Sequence, residues 1–238
     1  MQLVQLANTG THDRVMQHFK SFKPGSVLDL PCGPGALSQE LIALGYAVTP
    51  ADIHPEGFQL ESPAALYCDL NQRLPFADAS FDYVACVEGI EHTENPSNAI
   101  REIARVLKPG GKLVLTTPNY LNLERRLKFL ITGSFSKPVT PERFKEFYGG
   151  DTAGMHNSPM TYPMLYFLLG VNNLKTLSME KEKTKWKQWF LLPTALLIWG
   201  YARLWSPRQR RKYLIDEVNS NVILMGGNNL ILVCEKQA

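Results

Sequence analysis

The stretch VLDLPCGPGALSQEL, from Val27 to Leu41, constrains this chain more than any other, because it reads as a buried strand running through a glycine turn into a helix. Val27, Leu28 and Leu30 form a short apolar run suited to a parallel strand covered on both faces. Gly33 and Gly35 allow a tight turn with no Cβ between backbone and ligand. A helix from about Ala36 to Leu44 would then point its N-terminal amides at whatever lies above the turn. Inside the strand stands Asp29. A fixed negative charge there repels a pyrophosphate but attracts a ligand with an ammonium or sulfonium centre. The alternative is a carboxylate that only caps the turn through backbone N–H groups. The spacing of Pro31, Gly33 and Gly35 is not G-x-G-x-x-G, which argues against a nicotinamide-dependent oxidoreductase.

Four further segments follow in order. YAVTPAD is a second strand ending in Asp52 and followed by Ile53, and a carboxylate at that tip can accept both hydroxyls of a ribose. ALYCDL closes on Asp69 and Leu70. SFDYVACVEGIEH carries a strand from Phe81 to Val87, with Glu88, Gly89 and His92 beyond its end. REIARVLKPGGKLVLTTPN reads as helix, Pro-Gly-Gly turn and fifth strand. Together these segments resemble the class I S-adenosylmethionine-dependent methyltransferases, from about Ser26 to Asn119, half the chain. The resemblance implies an α/β Rossmann-like fold: a mostly parallel seven-stranded sheet, helices on both faces, and a helical insertion between the last two strands. It also implies S-adenosylmethionine as cofactor, held by Asp29, Pro31, Cys32, Gly33 and Gly35 around the loop and by Asp52 and Ile53 at the ribose. Asp69 would read the adenine amino group, Leu70 would cover its ring, and Glu88 and Gly89 would complete the cofactor-binding set. Pro31 departs from the family, which most often has its first glycine there, so this turn must tolerate a fixed φ and a missing N–H.

With 238 residues, 45% of them hydrophobic, the chain suits one domain, with a cofactor-binding core over 26–119 and an insertion over 181–220. Thr11 to Phe22 reads as an amphipathic helix. Leu121 to Ile131, Pro141 to Tyr148 and Tyr162 to Leu169 read as further helices, and Leu174 to Met179 and Asn229 to Glu235 as the last two strands. Cys32, Cys68, Cys86 and Cys234 form no CxxC pair and read as small core residues, so no metal site is expected. The first residues lack the basic start and apolar run of a signal peptide, which predicts a cytoplasmic protein.

The net charge of +3 hides an asymmetry: Lys181 to Lys212 holds nine basic residues against one acid, leaving −5 on the remainder. That pattern argues against a nucleic-acid clamp spread over the domain. The segment encloses Trp189 to Ala202, uncharged but shorter than the roughly 20 residues a bilayer span needs. Trp186, Trp189, Trp199, Arg203 and Trp205 suit an anionic membrane surface, which would place the protein peripherally on the inner face. The other reading is a helix packed on the domain or roofing the site.

A methyl donor that is already activated asks the protein mainly to hold donor and nucleophile in line and exclude water. A hydroxyl acceptor also needs a base, and His92 and His156 are the candidates. The TPN after the fifth strand, the RRLKFLITG helix and the late apolar insertion are similar to methyltransferases of bacterial envelope-polysaccharide pathways. The expected acceptor is a small, lipidic or lipid-linked molecule: a quinone, an isoprenoid or a glycan. The alternative is a non-catalytic, membrane-docked partner subunit that keeps the cofactor fold.

Overall fold

The computed structural model describes residues 7, 9–149, 151 and 154–238. Alternating apolar residues build a seven-stranded sheet in the order β3-β2-β1-β4-β5-β7-β6. The strands are β1 Ser26–Asp29, β2 Ala47–Asp52, β3 Leu66–Tyr67, β4 Phe81–Cys86, β5 Leu107–Pro118, β6 Leu174–Lys181 and β7 Asn229–Lys236. β1 to β5 pair in parallel, while β7 runs antiparallel between β5 and β6. The seven strands, the mixed sheet and the late insertion agree with the fold expected from the sequence.

The period-2 alternation of strand side chains divides the core into two layers. Leu28, Val84, Cys86, Leu113, Leu115 and Leu232 face one side, where α3 (Pro96–Val106) and α6 (Tyr162–Val171) cover them with Ile100, Ile103, Leu165 and Leu169. Val27, Ala85, Val114, Ile231 and Val233 face the other, beneath Val15 and Phe19 of α1 (Thr9–Ser21) and Leu37 and Leu41 of α2 (Ala36–Ala43). Both layers are needed because β1, β4 and β5 are central strands with no polar face. All four cysteines are buried and free, as small core residues should be.

β3 is a two-residue edge strand that, among the described strands, pairs with β2 alone, and Asp69 lies beyond its end. One local expectation is corrected. The Pro-Gly-Gly segment is a bulge inside β5, not a free turn, since pairing with β4 jumps from Phe81↔Leu107 to Tyr83↔Lys112. Glycine is required there, because a Cβ on Gly111 would lie 2.8 Å from the Lys108 carbonyl oxygen.

Beyond β5 come α4 (Leu123–Thr132) and α5 (Pro141–Tyr148). The β6–β7 connection contains a 3₁₀ segment, Trp186–Leu191, then α7 (Leu192–Ala202), α8 (Pro207–Lys212), α9 (Ile215–Val218) and α10 (Asn221–Leu224). It packs on the domain through a third apolar cluster, in which Ala195, Leu192, Ile198 and Trp199 meet Leu123 and Leu127 of α4 and Leu224 of α10. Trp199 also donates its indole N–H to the Asn219 carbonyl at 2.6 Å. Trp199 therefore faces inward and is removed from the set of membrane-facing residues. No described helix is long and apolar enough to cross a membrane.

Ile103 lies at the centre of the α3 layer with no exposed surface. Replacing it with alanine opens a cavity beside the strands that carry the site, so Ile103→Ala should cost about 2 to 5 kcal/mol in a urea titration.

Candidate active site

Parallel strands present their carboxyl ends to one rim, and the rim opens where β1 is flanked by β2 on one side and β4 on the other. A cavity of about 450 Å³ lies there, lined by Asp29, Pro31, Cys32, Gly33, Asp52, Ile53, Asp69, Leu70, Glu88, Gly89 and His92 among others. Gly35 and His156 are outside the lining. Gly35 instead caps α2 with φ +99°, and a Cβ there would meet the Phe58 ring at 2.8 Å, so its glycine serves loop packing.

The turn tolerates Pro31 because its geometry does not use the missing donor. The Leu30–Pro31 peptide is cis, Cys32 donates to the Ala51 carbonyl at 2.9 Å, and Gly35 to the Cys32 carbonyl at 3.0 Å. The proline ring lies against Gly89, where a Cβ would come within 2.3 Å of its Cδ. The β1 and β4 loops thus meet only because residue 89 has no side chain. Asp52 accepts Gly33 N–H and His54 N–H, each at 2.9 Å, so one carboxylate ties the glycine loop to the tip of β2. Asp69 accepts from Asn71 N–H at 2.8 Å.

Asp29 is fully buried. Its Oδ2 accepts the Ser38 hydroxyl at 2.6 Å, while Oδ1 has no hydrogen-bond partner. Burial pushes its carboxyl up to about 7, the Ser38 bond opposing and the neighbouring Asp52 adding to the rise. A carboxylate buried without a countercharge costs several kcal/mol, and a cationic ligand in the adjoining cavity would supply that countercharge. The orphaned oxygen therefore fits a sulfonium- and ammonium-bearing cofactor, with Asp52 placed for a diol and Leu70 for an aromatic ring.

Beyond β4, a 3₁₀ segment from Ile90 to His92 carries two titratable groups. His92 Nδ1 lies 2.9 Å from the Met155 carbonyl oxygen, which can only accept, so Nδ1 carries the proton and the basic lone pair falls on Nε2. The His156 ring packs edge-on to His92 at 4.9 Å, and its Nδ1 meets the Tyr120 hydroxyl at 3.2 Å. Burial, then His92 and Arg125, lower the His156 pKa, so it is neutral near pH 7. Glu91 is wholly buried, both its oxygens lack hydrogen-bond partners, and burial raises it to about 8. Donor atoms of Glu91, His92 and His156 lie within 4.8 Å of one another, a set able to hold a divalent cation that cysteine spacing could not suggest.

Sequence reasoning did not single out Glu91, Tyr120 or Asn229. Tyr120 follows the TPN segment and so shares the rim by position alone. Asn229 reaches the rim because β7 is antiparallel, opposing Pro118 at the end of β5, where it donates to Glu88.

Residues 28–115 match the family described as Methyltransferase domain. The ubiquinone biosynthesis O-methyltransferase of Schizosaccharomyces pombe mitochondria is 30% identical over 63% of this chain and 60% of its own length. Its namesake from Xanthomonas euvesicatoria is 40% identical over 39% of this chain and 43% of its own. The chain thus spans about half the length of these curated relatives. Among solved structures, a SAM-dependent methyltransferase from Archaeoglobus fulgidus superposes with TM-score 0.58 at 18% identity, covering 94% of this chain and 92% of that one. One from Methanosarcina mazei gives 0.53 at 19%, covering 93% and 97%. These last two establish the fold.

A cationic cofactor held beside Asp29 would bind in a pH-dependent way, because burial raises that carboxyl to about 7. A bound cation favours the ionised form, and below pH 7 the proton must first be removed. S-adenosylmethionine affinity should therefore fall by up to about tenfold per pH unit below 7 in calorimetry, and Asp29→Asn should bind weakly without that slope.

Proposed function

We propose that this chain, whose residues 28–115 form an S-adenosylmethionine-dependent methyltransferase domain, methylates a hydroxyl on a small lipidic or lipid-linked acceptor of quinone, isoprenoid or glycan type. The observation that carries the reading is the pairing of an uncompensated carboxylate, Asp29, with a tautomer-fixed histidine, His92, on the walls of one cavity. S-adenosylmethionine supplies an electrophilic methyl group when bound. Asp29, Asp52 and Leu70 are placed to hold and orient it, and the backbone turn at Gly33, with φ +49°, permits close approach.

His92 is the general base in this reading. An aliphatic or phenolic hydroxyl attacks poorly while protonated, and Nε2 of His92 can take that proton as Nδ1 stays bonded to Met155. His156 acts through His92 and Tyr120, since it does not line the cavity. The named activity of the relatives, O-methylation in ubiquinone biosynthesis, supports a hydroxyl on a quinone-type ring. The non-catalytic subunit has no observation in its favour.

His92→Ala should slow methyl transfer from labelled donor into a lipid extract or a short-chain hydroquinone by about 10² to 10⁴, with donor affinity unchanged. His156→Ala should cost less. A near-normal rate for His92→Ala would remove it as base.

The insertion is read as a peripheral contact with the anionic inner face of a membrane. Trp186 and Trp189 are about two-thirds exposed, and Leu197 of α7 and Leu204 just beyond it are more so. Ile131 of α4 is also exposed. Exposed tryptophan and leucine side chains within one basic segment suit the interface of a membrane, where indole rings sit at headgroup depth. Each basic residue near such a surface contributes about 1 kcal/mol, and salt screens it. Co-sedimentation should show binding to anionic vesicles, little to neutral ones, and reversal by salt. Trp189→Ala should weaken it, whereas Trp199→Ala should unsettle the insertion itself. Indifference to anionic vesicles at low salt would end this reading.

A further inference from the structure

A second cavity, of about 420 Å³, lies inside the insertion and away from the residues of the cofactor cavity. Its walls are almost all apolar: Leu197, Ile198 and Tyr201 from α7, Trp205 after it, and Ile215 and Val218 from α9. The volume falls within the range of small-ligand clefts. Arg126 of α4 is its one charged wall residue.

Arg126 is unusual in what surrounds it. Its Nε donates to the Leu121 carbonyl at 2.7 Å, Nη1 to Asn219 Oδ1 at 2.8 Å, and Nη2 to the Val218 carbonyl. All three acceptors are neutral. Among the described residues no carboxylate pairs with it: Asp216 on α9 is taken by Arg210, and Glu124 on α4 by Lys185. Burial without a countercharge lowers its pKa to about 10. A half-buried guanidinium in an apolar wall retains a strong attraction for an anion, because the low dielectric screens it little. Arg208, Arg211 and Lys212 of α8 add exposed positive charge in the same segment.

We propose that this groove takes one hydrocarbon chain of an anionic membrane lipid, with Arg126 facing its phosphate. The inference rests on the membrane reading above and adds a specific lipid-binding site to surface adsorption. An apolar chain alone would need no cation, and a free anion alone would need no apolar walls. Charge complementarity thus selects an amphiphile with a single negative head. Leu197 and Tyr201 of the groove wall are themselves largely exposed and would lie at the depth from which such a chain enters.

The test uses the full chain and dihexanoylphosphatidylglycerol below its micellar concentration, so that no bilayer is present. Saturable binding, followed by tryptophan fluorescence, is expected, with dihexanoylphosphatidylcholine weaker by at least about tenfold. Arg126→Gln should lose about tenfold or more for the glycerol lipid and abolish the preference. Since Arg126 also clamps α9, a second variant, Ile215→Trp, fills the groove while leaving that clamp, and should lose binding equally. No saturable binding, equal affinity for the two lipids, or unchanged binding in Ile215→Trp would each overturn the proposal. Retained vesicle adsorption in any of those cases would leave the surface contact standing and the groove refuted, and S-adenosylmethionine affinity should be unchanged throughout.

Discussion

Asp29 is fully buried in β1 between β2 and β4, with one hydrogen bond from Ser38 and one oxygen left without a partner. A folded chain tolerates such a group only where another interaction compensates. Much of the nearby structure can be understood as arranging for that compensation to come from a ligand. The glycine turn keeps side chains out of the adjoining space, Asp52 locks that turn through the Gly33 amide, and Gly89 lets the β4 loop close against Pro31. With no ligand charge, the raised carboxyl can take up a proton near neutral pH, which limits the cost of burial.

Elsewhere on the cavity wall the polar groups are handled differently. His92 has its Nδ1 hydrogen bond supplied by a backbone carbonyl, which fixes ring orientation and tautomer at little entropic cost. That carbonyl, at Met155, belongs to the segment between α5 and α6. The orientation of the His92 ring is therefore set by a loop about sixty residues away in sequence. His156 arrives on the same segment and links His92 to Tyr120 at the end of β5.

The insertion joins both sides of the choice between a packed helix and a surface contact. One face of α7 enters a core cluster with α4 and α10, and the other leaves Leu196, Leu197 and Tyr201 exposed. Periodicity could not separate the two, because α7 is apolar around its whole circumference, and a helix without a polar face does not say which side is buried. Trp199 shows the consequence: it resembles Trp189 in sequence, yet its indole N–H is satisfied inside the protein by Asn219.

The strand alternation, the turn at Gly33 and Gly35, and the positions of Asp29 and Asp52 were readable from the chain alone. They depend on local rules, namely side-chain period, glycine φ and the charge of a residue at a strand end. Tertiary structure alone decided that the Pro-Gly-Gly segment forms a bulge, that Asn229 reaches Glu88, and that His156 stands beside His92 and not in the cavity. It alone also showed that Arg126 is half-buried with no acid paired to it among the described residues. Each of these depends on contacts between segments distant in sequence, so the physical cause lies in how strands and loops meet across the sheet, which no local pattern of residues encodes.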